Sequence, residues 1–219
     1  MDNPQLPPKV QWDLTHCYLE VARAAMTQIH TKAVPGLSPE MAEISPPLLS
    51  AKFSLVSITV LYSFLAIESF LNYQLYQLWK RRSESSVASR RFLEELGDEA
   101  EFERLKVHPK MREIPARLKT YCKIVGFALP HERIPDTWRR LSELVEESRH
   151  FLVHAYPDPV HFHGNMARIM GKTKSGEYVR VTEEILAFLW AQSGKAAPEW
   201  LAHNTLLAFR GVTLLPVLE

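Results

Sequence analysis

The chain has 219 residues, 46% hydrophobic and 23% charged, a globular composition that excludes a fibrous or low-complexity chain and fits a single well-filled domain over 1–219. Its 26 Lys and Arg against 25 Asp and Glu leave a net charge of +1, which excludes a global basic footprint, so any contact with an anionic partner must be local. The two cysteines, Cys17 and Cys122, lie far apart, each in an amphipathic pattern that suits a small buried thiol, and point to a reduced cytoplasmic chain.

Residues 1–8 lack the basic-then-apolar layout of an export signal. Leu14, Tyr18, Val21, Ala25 and Ile29 recur at helical spacing and predict a first helix over 10–31. Residues 33–47, with Pro35, Gly36, Pro39, Pro46 and Pro47, read as a loop. Residues 48–82 form the longest apolar segment, and length favours helix even though Val56, Ile58, Thr59 and Val60 are β-branched. Its uncharged part, 53–67, is short of the roughly 20 residues that span a bilayer and runs on into Glu68, Asn72, Gln74 and Gln77, so a buried bundle helix is expected. Glu68 and Asn72 are four apart on one face, with Tyr62, Ser69 and Tyr73 near it. This polar strip is either a solvated edge or the lining of a site.

Lys80, Arg81 and Arg82 end that helix, where cations complement its dipole, and capping accounts for them. A charge-dense outer helix is expected over 90–106, with Phe92, Leu93, Leu96, Phe102 and Leu105 as its apolar seam. Residues 116–127 follow as a short helix carrying Leu118, Tyr121, Cys122 and Val125. Asp136 is a good N-cap for a helix with Trp138, Leu141, Leu144, Val145, Phe151 and Leu152 on its apolar face, and Tyr156-Pro157-Asp158-Pro159 stops it. Over 167–181 the period changes: two short runs flank Lys174-Ser175-Gly176 and predict a small basic β-hairpin. Thr182 then caps a helix over 183–192, and Pro198 opens a last helix over 199–210. The expected architecture is an all-α bundle with a small β-hairpin insertion.

Gly171-Lys172-Thr173 is not a phosphate-binding loop, because Met166 stands where that motif needs glycine. Four histidines cluster at His150, His154, His161 and His163. The i, i+4 pair His150 and His154 has the spacing with which two imidazoles share a metal, and His161 and His163 are available as further ligands. Phe151 stands where a His-Glu-x-x-His site has its glutamate, so this metal reading ranks below a metal-free one. Arg149 with His154 supplies the latter. A guanidinium holds phosphate oxygens in a planar fork and His moves a proton near neutrality, a minimal kit for cleaving RNA without a metal. On a regular helix the two side chains are about 140° apart, at about 100° per residue, so they converge only near a frayed end or across a subunit boundary.

Arg149-His150-Phe151-Leu152-Val153-His154 resembles the Arg-x4-6-His signature of the HEPN superfamily, including the polar residue directly after the arginine. Ala66-Ile67-Glu68-Ser69-Phe70-Leu71-Asn72 is similar to the acidic, amide-bearing helix that packs beside that motif. Tyr156, two residues beyond the histidine, fits the extended form found in HEPN toxins whose nucleotidyltransferase antitoxins adenylylate that tyrosine. The resemblance covers about 48–160 and extends to about 212 if the C-terminal helices join the bundle. An N-terminal helix, the charged helix and the hairpin make this chain longer than a compact toxin.

The resemblance implies an up-and-down helical bundle, a homodimer whose two copies of Arg149 and His154 line one cleft, and an endoribonuclease that needs no cofactor and leaves a 2′,3′-cyclic phosphate. His150 would orient Arg149 or the scissile phosphate, and Glu68, Asn72 and Tyr156 would support the site. Arg168, Lys172 and Lys174 would add RNA contacts, and a toxin or defence role with an antitoxin partner would follow. Two other readings stay open: a non-catalytic HEPN module that binds a nucleotide or a protein, and a helical protein whose His cluster binds metal.

Overall fold

The computed structural model describes residues 14–31, 46–95, 114–126, 140, 164, 166–171, 176–193 and 196–202. Among these the regular elements are helical, with no strand. They are α1 (Thr15–Thr31), α2 (Pro46–Lys80), a 3-10 turn (Arg82–Glu84), α3 (Val87–Glu94), α4 (Ile114–Val125), α5 (Glu177–Gln192) and α6 (Glu199–Ala202).

The axis of the fold is α2. Pro46 and Pro47 open it; proline is tolerated in a first turn, where its missing N–H has no intrahelical partner to lose, so the helix begins inside the stretch expected to be loop. With 35 residues it is about 52 Å long at about 1.5 Å per residue. Val56, Val60, Ala66, Ile67, Phe70, Leu71 and Leu75 are buried, and so are Thr59 and Ser63. A helix buried on so many sides has neighbours around it, and α1, α4 and α5 all pack against α2. Thr59 satisfies its hydroxyl within the helix by donating to the Leu55 carbonyl at 2.9 Å. Ser50–Lys80 is long and apolar enough to cross a membrane by length and composition, with a mean hydropathy of 1.7 in its most apolar window, and 56% of that window is buried within the protein.

In α1 the inward stripe is Leu19, Ala22, Ala25 and Ile29, while Leu14 is 38% exposed and Tyr18 and Val21 are half-buried. The expected face, Leu14, Tyr18, Val21, Ala25 and Ile29, is thus rotated. Alanines on the inner face permit a close approach to α2, and a second buried side of α1 takes Glu20 and Arg23. Cys17 is exposed, against expectation, because this rotation turns it outward; Cys122 is buried as expected.

The 3-10 turn joins α2 to α3. The hydroxyl of Ser86 accepts from the Ser89 N–H at 3.3 Å and caps α3, which starts at Val87 rather than 90; residues 96–106 of the expected charged helix lie outside the described residues. In α4, Pro115 occupies the first turn, and Gly126 follows with φ 85, its N–H donating to the Cys122 carbonyl at 2.9 Å.

The hairpin is overturned. Residues 166–171 are helical, and Glu177–Val181, expected as a strand, are the first turn of α5. Tyr178, Val179, Val181, Thr182, Ile185, Leu186 and Leu189 are all buried along α5, a 3.6-residue period that runs without a break through the stretch expected as a strand. Gly176 with φ 73 precedes the helix, and a Cβ there would lie 2.8 Å from the Met26 sulfur. Glycine is therefore favoured for its backbone angle, and any side chain there would also have to displace the flexible Met26 thioether. Thr182 is not a cap but a buried residue one turn in, its hydroxyl donating to the Tyr178 carbonyl at 3.0 Å.

Candidate functional site

Arg149, His150, His154 and Tyr156 lie outside the described residues, as do His161, His163, Lys172 and Lys174. Arg168 is half-buried in the helical stretch 166–171. Arg140, helical and nine residues before Arg149 in sequence, forms an ion pair with Glu177 at 3.3 Å. Arg140 is thereby tied to the first turn of α5, where a carboxylate also suits the helix dipole.

Glu68 and Asn72 are described fully, and they share one partner. Arg117 of α4 donates from Nη1 to Glu68 Oε1 at 2.6 Å and to Asn72 Oδ1 at 3.0 Å. The guanidinium is 6% exposed and the Glu68 side chain 26%, so this is a desolvated, charge-assisted contact that locks α4 onto α2. The polar strip divides between neighbours. Ser69 accepts from the Leu14 N–H at 3.1 Å and Tyr62 meets Tyr18 edge-on at 5.7 Å, both toward α1, whereas Glu68 and Asn72 turn toward α4.

One turn after Arg117, Tyr121 is buried and packs edge-on against Phe70 at 6.2 Å. Burial, and then the neighbouring Cys122, push its phenol up to about 12. Burial likewise pushes the Cys122 thiol up to about 12, opposed only by its backbone hydrogen bond. At neutral pH both are protonated, and Cys122 is no nucleophile.

A second buried guanidinium joins α1, α5 and α6. Arg23 donates to Glu20 Oε1 at 2.7 Å, to Glu183 Oε1 at 2.7 Å and to the carbonyls of Trp200 at 2.7 Å and Leu201 at 3.2 Å. Its side chain and that of Glu20 are 3% and 2% exposed. His16, one turn before Glu20, stacks on Trp200 with ring centroids 4.9 Å apart and places Nε2 3.9 Å from Glu20 Oε1. Among the described residues no three His, Cys, Asp or Glu side chains are grouped to hold a metal.

Comparison with protein-family models, with curated proteins and with solved structures gives no match.

Arg117 and Arg23 are the residues that sequence reading passes over. A signal was present for Arg117: it lies four before Tyr121, on the apolar face of α4, and a cation in a core register needs an acidic partner. Glu68, with Asn72 one turn on, was the polar pair available to it. Arg23 is three residues after Glu20 on α1, a spacing that brings two side chains together.

Proposed function

We propose that the chain is a metal-independent RNA endonuclease of HEPN type, acting in the cytoplasm as a homodimer with a composite site. The observation that carries this reading is the spacing of Arg149 and His154 in sequence, with His154 three residues before Pro157, in a chain whose described elements are helical. Arg149 would bind the scissile phosphate and offset the charge gained in the transition state. His154 would take the 2′-hydroxyl proton as that oxygen attacks phosphorus, or return a proton to the departing 5′-oxygen, leaving a 2′,3′-cyclic phosphate. His150 would orient Arg149 or the scissile phosphate, and Tyr156 would be the acceptor on which a nucleotidyltransferase antitoxin acts. Glu68 and Asn72 would support the site; in the structure they hold Arg117 and so fix α2 against α4.

The test is cleavage of a mixed RNA pool by the purified chain in the presence of EDTA. Cyclic phosphate ends are expected, with a loss of about 10²-fold or more for Arg149→Ala and for His154→Ala. Unchanged cleavage by both variants, or cleavage that disappears with EDTA and returns with a divalent metal, overturns the proposal. The engagement of Glu68 and Asn72 by a framework arginine favours one rival, a non-catalytic HEPN module in which these residues serve packing alone; that reading predicts no cleavage by the wild type.

A further inference from the structure

Where α2 passes through the 3-10 turn into α3, residues 80–91 hold five cations, Lys80, Arg81, Arg82, Arg90 and Arg91, and one carboxylate, Glu84. This is a charge of +4 in twelve residues of a chain whose total is +1. Glu94 and Glu95, which end α3, bring it to +2 over 80–95, with Glu95 Oε1 3.8 Å from Arg91 Nε in an exposed pair worth little in water. Lys80, Arg81, Arg90 and Arg91 are exposed and Arg82 is half-buried. One or two cations would satisfy the end of the α2 dipole, and the rest exceed what capping asks.

Neutral groups, not carboxylates, position the central arginines. The Arg82 guanidinium lies 4.2 Å from the Trp79 ring centroid and donates to the Trp79 carbonyl at 3.0 Å. Arg90 donates to the carbonyls of Arg82 at 3.2 Å and Ser83 at 2.6 Å. Lys80 sits 4.8 Å from the centroid of Tyr76, whose ring stacks with Trp79. From α4, exposed Lys123 lies over Phe92 of α3 at 5.5 Å, adding a cation to the same end of the molecule. Aromatic faces and carbonyls fix a guanidinium without cancelling its charge, and each arginine keeps further N–H donors in a planar fork that matches phosphate.

We propose that this end of α2, with α3, binds the phosphate backbone of single-stranded RNA. The proposal rests on the reading above for the identity of the polyanion. Arginines already held in place lose little side-chain freedom on binding. RNA is favoured over an anionic membrane because the only large apolar side chain strongly exposed among the described residues of this face is Val87, at 82%, which gives a bilayer almost nothing to embed.

The experiment is fluorescence anisotropy of the full chain with a labelled 2′-O-methyl oligoribonucleotide, which lacks the attacking hydroxyl and so reports binding independently of cleavage. Arg81→Gln/Arg91→Gln, which removes two exposed cations without touching the Trp79 stack, should weaken binding several-fold. It should also make log Kd less steep in log salt by about 1.4, at about 0.7 per cation. Arg82→Lys should weaken binding while keeping the charge, because the fork is lost. Arg180→Gln, removing an exposed cation of α5, should leave binding unchanged. Absence of binding by the wild type, an unchanged salt slope in Arg81→Gln/Arg91→Gln, or arginine-dependent association with phosphatidylserine vesicles but not RNA overturns the proposal. Binding without any cleavage of natural RNA supports it and sinks the nuclease reading instead.

Discussion

Arg117 is a cation placed at a core position, and its removal strands Glu68 in a mostly desolvated pocket with no charge opposite. Arg117→Met is expected to cost about 2–4 kcal/mol, because breaking a buried pair from one side leaves the other charge uncompensated. Urea unfolding checks this. In the double variant with Glu68→Gln the two losses should be clearly less than additive, since the second change removes the stranded charge. Tyr121 and Cys122 give a pH signature. Their folded values of about 12 stand above the ordinary 10.0 and 9.0, so above about pH 9 the unfolded chain loses protons that the folded one keeps. Stability is therefore whole below about pH 9 and falls as pH rises toward about 12. A urea midpoint that drops across this window in the wild type, and less steeply in Cys122→Ala, is the expected result. At this scale the sequence was partly legible: Glu68 and Asn72 stood out as a polar pair, and Cys122 as a buried thiol. Their partner did not, because apolar spacing was read along α4 without asking which polar residue shared its face.

At the level of elements, the long apolar run and its neighbours were readable because a helix of several turns repeats its pattern many times. The misread stretch was 177–181, where Tyr178, Val179 and Val181 are good strand formers and alternate for a few residues with charged ones. Over so short a window periods of 2 and 3.6 are hard to separate, and only the continuation to Leu189 decides between them. Gly176 marks the true boundary. Gly176→Ala is expected to destabilise by about 1–3 kcal/mol, combining the cost of a left-handed angle with a side chain driven toward Met26. The thermal midpoint should fall by several degrees. Met26→Ala should recover part of the loss by opening space for the new methyl, leaving the backbone share.

For the whole molecule, α2 is the common wall on which α1, α4 and α5 are assembled, and two buried arginines tie the assembly where apolar packing alone would allow sliding. Composition and periodicity made the all-helical class legible. The order of packing was not, because it depends on pairs such as Arg23 with Glu183, 160 positions apart. The proposed composite site has a signature at this scale. Mixing Arg149→Ala with His154→Ala protein, under conditions of subunit exchange, should restore about a quarter of wild-type cleavage, since half the dimers are mixed and each has one intact site. A site confined to one chain would show no recovery.

The two thiols bear on that same question from another direction. Cys17 faces solvent and Cys122 is buried with its thiol held protonated, so a maleimide spin label at neutral pH should attach to α1 alone, without mutagenesis. In a twofold assembly that single handle becomes one inter-label distance, and in a monomer it yields none. The native chain thus carries its own ruler for the arrangement of its copies.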